Sequence, residues 1–248
     1  PMRLVSLVPS LSKTVVDLGL SSELVGITTF CVDPPDLHRT ATIIGGTKDP
    51  AIDKIRGLNP TLILANDEEN RAEDLAACRQ FSKVWTCLPK GPEDVPAMLR
   101  SLSTEIGVTA KGNPLAEKIE QALSPASPGT EKKSFLYLIW QDPFMAASPD
   151  TYISKLLEEG PWQNAIEVVE ERYPTLSVGE MEDLNPDVIL FSSEPFAFRQ
   201  RHLDSFKSAW PRAKACPTLR KIDGKLCSWW GSLTAEGLAY IRTFPTDH

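Results

Sequence analysis

The sequence predicts an α/β protein built from two Rossmann-like αβ lobes with mostly parallel sheets, joined by a single long connecting helix. Short apolar runs alternate with helical patterns along the chain, as in parallel sheets covered by helices. The motif LNPTLIL at Leu58 recurs as LNPDVIL at Leu184, about 126 residues later. Between them, apolar residues at every fourth position predict the connecting helix. We therefore expect an N-terminal αβ lobe over 1–108, a connecting helix and linker over 109–131, and a C-terminal αβ lobe over 132–248. Chance similarity of two αβ turns is the alternative explanation of the recurring motif.

The first lobe is expected to begin with a strand from Arg3 that stops at Pro9, followed by a helix capped by Ser10 or Ser12. TLILA is a continuous apolar run, typical of a strand buried on both faces of a parallel sheet. The other predicted strands are 24–28, 41–44 and 83–86, and the other helices are 50–56, 72–81 and 92–106. The connecting helix is predicted over 111–123, and SPASPG at 124–129 breaks it.

The second lobe is expected to begin with the strand SFLYLIW, which delivers Trp140 to a loop. Ser148 or Asp150 is expected to cap a helix over 151–159. DVILF is the second buried strand. Short strands are predicted at 221–222 and 225–227 around a turn at 223–224, with helices at 180–184 and 234–243.

The totals exclude several functional classes. The net charge of −7 argues against nucleic acid or an anionic membrane as the main partner, because both select clustered Lys and Arg. No apolar run approaches the roughly 18–20 residues of a membrane span. The N-terminus lacks the pattern of a signal peptide, so we expect a cytoplasmic protein, or a periplasmic or extracytoplasmic one if the chain is a mature form.

Cysteine and histidine usage predicts no metal site made by the protein alone. The five cysteines contain no CxxC motif, so we expect reduced thiols, mostly buried. Burial in the core is favoured over an axial-ligand role for Cys31 and Cys227. The three histidines show no ligand spacing.

Large aromatic and polar side chains follow the predicted strands, where α/β folds place ligand sites. Five of the six tryptophans lie after residue 139, and flat side chains suit a broad planar ligand. No nucleophile elbow, P-loop or dinucleotide fingerprint is present, so we expect no enzyme and no catalytic cofactor. Core positions bridging strand and helix are the alternative for Trp140 and Phe144. The predicted ligand-binding residues are Phe30, Thr47, Lys48, Asn66, Glu68, Glu69, Asn70, Trp140, Phe144, Tyr152, Glu194, Phe196, Phe198, Arg199, Trp229 and Trp230.

Ordered motifs along nearly the whole chain resemble those of one family. They are RLVSLVPSLSKTVVDLGL, VGITTFCVDPP, GGTKDPAIDKIRGLNPTLILANDEENR, LYLIWQDPFMAASPDTYI, LNPDVIL and SWWGS. The set resembles the class III solute-binding proteins of ABC importers, the helical-backbone metal-chelate receptors, and within them the cobalamin-binding branch. The resemblance implies two αβ lobes joined by one long helix, with the ligand in the cleft between them.

The resemblance also implies site residues and partners. The family's pocket positions fall on Phe30, Thr47 and Asn66, and cobalamin receptors place tryptophans at the last two. The implied ligand is a metal chelate: cobalamin or another corrinoid, haem, or a ferric siderophore. Family members dock on a permease through one acid per lobe; the first position falls on Asp53 and the second beside Glu180.

Three alternatives stay open beside a non-catalytic receptor. One is a cytosolic carrier or sensor of the same ligand, not coupled to a permease. Another is an enzyme acting on a chelate precursor, with Asp67, Glu68, Glu69 or His202 as acid or base. The last is an interaction module whose aromatic side chains meet a protein.

Overall fold

The computed structural model describes residues 1–123 and 131–246, and the chain divides into two compact units. Unit 1 comprises Pro1–Pro89, Val95–Lys118 and Trp229–Leu233. Unit 2 comprises Lys90–Asp94, Ile119–Ser228 and Thr234–His248. The main boundary between the units falls inside a helix, between Lys118 and Ile119. Lys90–Asp94 belongs to unit 2 although the chain on both sides of it belongs to unit 1, and the reverse holds for Trp229–Leu233. The lobe boundaries expected at 108 and 131 stay predictions, and the expected break at 124–129 lies outside the described residues.

Unit 1 is a five-stranded sheet with its connecting helices. The strands are β1 Leu4–Ser6, β2 Leu24–Ile27, β3 Thr42–Ile43, β4 Leu62–Asn66 and β5 Lys83–Cys87. The helices are α1 Pro9–Asp17, α2 Leu37–Thr40, α3 Ile52–Gly57, α4 Ala72–Arg79, α5 Val95–Glu105 and the connecting helix α6 Thr109–Ala122, which runs on into unit 2.

All strand pairs of this sheet are parallel, in the order β3-β2-β1-β4-β5. The chain adds strands first on one side of β1 and then, with β4, on the other. The carboxyl ends of β1 and β4 therefore form a topological switch point, the place where open α/β sheets bind ligands.

Unit 2 contains a second five-stranded sheet. Its strands are β6 Lys133–Trp140, β7 Met145–Ala146, β8 Trp162–Asn164, β9 Val188–Ser192 and β10 Thr218–Ile222. Its helices are α7 Tyr152–Glu158, α8 Val178–Leu184, α9 Gln200–Ala209, α10 Gly224–Ser228 and α11 Thr234–Thr243. β6 is central: β9 and then β10 lie on one side in parallel, and the other side pairs with β8 in parallel and β7 antiparallel. The switch point of this sheet lies between β6 and β9.

The recurring Asn-Pro motif has the same local structure in both units. Asn59 and Asn185 have positive φ angles of 49° and 51°, a conformation that Asn tolerates better than most residues. The proline that follows cannot continue a helix. The next strand is then β4 in unit 1 and β9 in unit 2, each buried along its length. The prediction of two α/β lobes with mostly parallel sheets is confirmed.

Several local predictions were wrong. Residues 225–227 form helix α10, because Asp223 Oδ1 accepts a hydrogen bond from Leu226 N at 3.1 Å and starts a helical turn. Helix α1 begins at Pro9 without a side-chain cap, since proline is favoured in a first turn. Thr151 caps α7 by accepting a hydrogen bond from Ser154 N, the role that was expected of Ser148 or Asp150. Among the described residues, no helix is long and apolar enough to cross a membrane.

Candidate functional site

The loop after β4 in unit 1 is held by two buried asparagines. Asn66 Oδ1 accepts hydrogen bonds from the backbone N–H groups of Glu68 and Glu69, both at 2.9 Å. Asn70 Oδ1 accepts from Asn66 N at 2.9 Å, and its Nδ2 donates to Leu7 O and Thr47 O, both at 3.1 Å. Asn70 thus ties together the chain after β1, β3 and β4, and its side chain occupies the switch point of this sheet.

Glu69 belongs to this loop and carries an unusual carboxyl group. The Trp230 indole donates a hydrogen bond to the Glu69 carboxylate. Glu69 Oε2 is buried and has no hydrogen-bond partner among the residues that the structure describes. Burial raises the pKa of Glu69 to about 7, against the opposing effects of the Lys48 charge and the Trp230 hydrogen bond. A carboxyl group of this kind changes its charge near neutral pH.

Phe30 and Lys48 are the exposed members of the predicted site in the loops after β2 and β3. The Phe30 side chain is 59% exposed, and its ring edge lies against Gly46, where an added Cβ would be 3.5 Å from Phe30 Cε2. Lys48 Nζ donates to Glu68 O at 2.6 Å and so links the two loops. Thr47 is half-buried and Glu68 exposed. An aromatic face with polar neighbours is therefore available on this edge of unit 1.

Cys31 is part of a buried hydroxyl cluster near this edge. Its thiol lies 3.0 Å from Ser12 Oγ and 3.2 Å from Thr28 Oγ1. Burial raises the pKa of the Cys31 thiol despite these hydrogen bonds. Cys227 is also fully buried, and burial raises its thiol pKa against a hydrogen bond to Tyr137. The expected burial of both cysteines is confirmed.

The switch point of the second sheet carries an aromatic pair. Trp140 ends β6 and remains 41% exposed. Phe196 follows β9, and its backbone N–H donates to Ile139 O at 3.2 Å. The two rings meet edge to face, with centroids 5.5 Å apart, a favourable geometry for aromatic side chains. The indole of Trp140 therefore stays largely accessible to solvent although it packs on Phe196.

A chain of rings supports this pair from behind. Phe196 also contacts Phe198 and His202, with centroid distances of 4.7 and 5.1 Å. His202 Nδ1 accepts a hydrogen bond from Arg199 N at 2.8 Å, which fixes the ring at the start of α9. Phe198 and Phe206 are buried in the core of unit 2, and Phe144 packs on Phe206 at 5.4 Å. Phe144 therefore bridges the loop and the core, as the alternative interpretation proposed, whereas Trp140 is exposed.

The remaining predicted residues of unit 2 lie deeper. Tyr152 is buried, and its hydroxyl lies 2.9 Å from Thr234 Oγ1. Glu194 is half-buried, and its Oε1 accepts a hydrogen bond from Ser228 Oγ at 3.4 Å. Ser192, which the sequence analysis did not single out, donates to Glu194 O at 2.7 Å and accepts from the Tyr137 hydroxyl at 3.0 Å. The pair Ser192-Ser193 at the strand end, followed by Glu-Pro, was the one sequence signal for this network.

The predicted residues thus fall into two groups. Within each unit, the exposed and half-exposed members lie in loops at the carboxyl ends of neighbouring parallel strands. Arg199 is exposed as the N-cap residue of α9. The buried members, which support those loops or lie in the cores, are Asn66, Asn70, Tyr152, Phe198, Trp229 and Trp230. Within the described ranges, no group of three or more His, Cys, Asp or Glu side chains could hold a metal ion.

A separate open groove of about 780 Å³ lies on unit 2 and includes the predicted docking residue Glu180. Its charged lining residues are all acidic, and they are Glu167, Glu170, Glu171, Glu180 and Asp183. Val168, which is 71% exposed, adds an apolar surface. On unit 1, the Asp53 side chain is 96% exposed and lies 3.4 Å from Arg56.

Solved structures of periplasmic receptors share this fold. The vitamin B12 binding protein BtuF of Vibrio cholerae is 19% identical, with a TM-score of 0.81 over 97% of this chain and 95% of that chain. The haem-binding protein RhuT of Roseiflexus sp. is 21% identical, with a TM-score of 0.83 over 97% and 96%. A periplasmic haem-binding protein of Pseudomonas aeruginosa is 22% identical, with a TM-score of 0.82 over 98% and 91%. No protein of curated function matches the sequence.

A family model assigns the chain directly from its sequence. The model described as periplasmic binding protein matches residues 4–222, which covers both sheets. The ordered motifs predicted a solute-binding receptor, and this match confirms that assignment. The chain belongs to the periplasmic binding protein family.

Proposed function

We propose that this protein is a non-catalytic receptor that captures a flat metal chelate: a corrinoid such as cobalamin, haem, or a ferric siderophore. The observation that carries the proposal is the exposed Trp140 indole, held in a T-shaped contact with Phe196 at the switch point of the second sheet. A supported indole loses little conformational entropy on stacking, so its exposed part is suited to a planar ligand.

Phe30 and Lys48 extend the proposal to unit 1. An exposed phenyl ring offers a second stacking surface, and the loops that Asn66 and Asn70 hold offer polar groups for the ligand edge. The buried members of the predicted set act by holding these loops. The structural relatives favour a tetrapyrrole, because those compared bind vitamin B12 or haem. The sequence-based expectation that one ligand lies between the two lobes stays a prediction.

Ligand titration tests the proposal directly. Purified protein is titrated with cyanocobalamin, haemin and a ferric siderophore, with tryptophan fluorescence as the readout. We expect saturable quenching by at least one of them. Trp140→Ala should lower the affinity for that ligand by about 10- to 100-fold, the loss typical of an aromatic side chain that a ligand buries. Trp85→Phe is the matched control, because Trp85 lies on β5 with its indole N–H bonded to Ser101 Oγ at 3.2 Å. Absence of saturable binding by all three ligands would refute the proposal.

Phe30→Ala separates one ligand surface from two. If one ligand contacts both units, Phe30→Ala and Trp140→Ala should each reduce the binding free energy of the same ligand by about 1 kcal/mol or more. If only Trp140→Ala has an effect, the site is confined to unit 2. The proposal assigns these residues no catalytic role: His202 Nδ1 accepts a hydrogen bond from Arg199 N and positions the start of α9, and Asp67 and Glu68 are exposed loop residues.

We also propose that Asp53 and Glu180 meet a partner with basic side chains, such as an ABC permease. Both side chains are exposed, and Glu180 lies in a groove whose charged lining residues are acidic. Glu180→Lys should abolish stimulation of transport in reconstituted vesicles while leaving ligand affinity unchanged. The control is Glu117→Lys, an exposed acid on α6. Equal transport with both variants would remove Glu180 from the docking proposal.

The compartment follows from the same proposal. The family name favours a place outside the cytoplasm, whereas the five free thiols suit a reducing one. Burial raises the thiol pKa of all five cysteines. A raised thiol pKa slows oxidation in either compartment. We propose an extracytoplasmic receptor, and cell fractionation of the native protein distinguishes it from a cytosolic carrier.

A further inference from the structure

The segment Trp229–Leu233 belongs to unit 1, although the chain on both sides of it belongs to unit 2. Two of the contacts of this segment lie within unit 1. Ser232 N donates to Thr14 Oγ1 at 3.1 Å, in a buried position on α1. The Trp230 indole donates to the Glu69 carboxylate in the loop between β4 and α4. The second contact depends on a group that takes up and releases protons.

The surroundings of Glu69 make its ionised form costly. One carboxylate oxygen, Oε2, is buried without a hydrogen-bond partner among the described residues, and an unsatisfied buried anion is more costly than a neutral acid. The charged and titratable groups facing it are Lys48 from the loop after β3 and the Cys87 thiol at the end of β5. Asp67 and Glu68 flank it on its own loop and are exposed.

We infer that Glu69 is a positioning residue: its protonated form holds Trp230 and the Trp229–Leu233 segment closed, and its ionised form releases them. The same loop carries Glu68 and is linked to Lys48, so release alters the ligand-facing edge of unit 1. The ligand part of this inference rests on the proposed function, whereas the contact itself does not.

The sign follows from proton linkage. The pKa of Glu69 is raised from its ordinary 4.5 to about 7 in the closed form. The open form, with a solvated carboxylate, keeps the ordinary value. Below about pH 4.5 both forms are protonated and closure is fully stable. Between those two values the open form gains about tenfold in relative population per pH unit. The relative population of the open form stops rising above about pH 7, after a total increase on the order of a hundredfold.

Hydrogen exchange of the Ser232 amide in the ligand-free protein measures this opening. After correction for intrinsic exchange, its opening equilibrium should rise about tenfold per unit from about pH 5 to pH 7 and then level off. Glu69→Gln, which cannot ionise, should give a flat profile. Glu68→Gln, the exposed neighbour, should keep the wild-type profile.

A second variant tests the hydrogen bond itself. Trp230→Phe keeps a ring but removes the donor that favours the carboxylate, so the levelling point should move to higher pH. A structural role alone would change the amount of opening and leave its pH dependence in place. A flat wild-type profile, or a sloping profile in Glu69→Gln, overturns the inference.

A binding experiment measures the affinity for cyanocobalamin and haemin at about pH 6 and pH 8. In the wild type, the chelate that binds should have a several-fold lower affinity at the higher pH. In Glu69→Gln, its affinity should be equal at both pH values. Equal wild-type affinity at both values overturns the link to the ligand. If the Ser232 amide titrates as expected but neither chelate binds, the proposed tetrapyrrole ligand fails and the proton-dependent contact stands.

Discussion

Asn70→Ala is expected to destabilise unit 1 more than any other single polar substitution on its sheet edge. The side chain is buried and makes three hydrogen bonds, to Asn66 N, Leu7 O and Thr47 O, at 2.9–3.1 Å. Alanine leaves three backbone groups without these partners at the ends of three strands. Each such group costs about 1–3 kcal/mol when water does not reach it. Partial access of water lowers the sum, so we expect a loss of about 3 kcal/mol.

Urea unfolding followed by circular dichroism measures this loss. The control is Asn113→Ala, an exposed position on α6, which should change the free energy of unfolding by less than about 0.5 kcal/mol. Asn70→Asp adds a pH test: it keeps the acceptor for Asn66 N but loses both donors, so it should be at least as destabilising as alanine at neutral pH and recover partly in acid. A loss below about 1 kcal/mol for Asn70→Ala would refute the argument that this side chain holds the edge together.

Three further substitutions and one chemical measurement follow from the packing. Gly112→Ala should cost about 1–3 kcal/mol in thermal unfolding, because an added Cβ would collide with the Ser103 side chain. Gly57→Ala, which meets nothing within 4 Å, should be neutral or slightly stabilising. Thr151→Ala should lower the free energy of urea unfolding by about 1 kcal/mol through loss of the α7 cap. Cys78, with its pKa raised by burial to about 11, should react with iodoacetamide at about pH 8 far more slowly in native than in unfolded protein, as measured by mass spectrometry. Equal rates would contradict the burial.

The sheet strands were predictable where apolar runs coincided with rigid turns. Asn-Pro before TLILA and DVILF fixed where each strand begins, because Asn adopts the left-handed conformation and proline prevents a helix from continuing. Both strands are buried along their length, as continuous apolar runs predict. The connecting helix was predictable from its apolar positions alone.

Elements decided by distant contacts were not predictable. β8 is only three residues, Trp162–Asn164, and exists because Lys133–Phe135 offers a parallel edge. The segment 225–227 was predicted as a short strand, yet Asp223 Oδ1 accepts a hydrogen bond from Leu226 N and a helical turn forms there. A short-range hydrogen bond thus decided the local structure.

Strand-end position identified the loops of the candidate site but could not separate ligand-facing from supporting side chains. Trp140 and Trp230 both follow strand-like patterns in the sequence, yet one is 41% and the other 6% exposed. The difference lies in partners that sequence does not reveal. Phe196 and Trp140 meet in a T-shaped contact, and much of the indole stays exposed. Trp230 instead commits its indole N–H to Glu69.

The two switch points show why unit 2 carries the stronger case for stacking. In unit 1, Asn70 bridges the chain after β1 and the end of β4, so its amide fills the place where an open α/β sheet receives ligands. In unit 2, the corresponding place between β6 and β9 ends in Trp140 and Phe196. The stacking surface that unit 1 offers a ligand then lies farther out, at Phe30. If this is correct, Trp140→Ala should weaken ligand binding more than Phe30→Ala, and the reverse order would place the main stacking surface on unit 1.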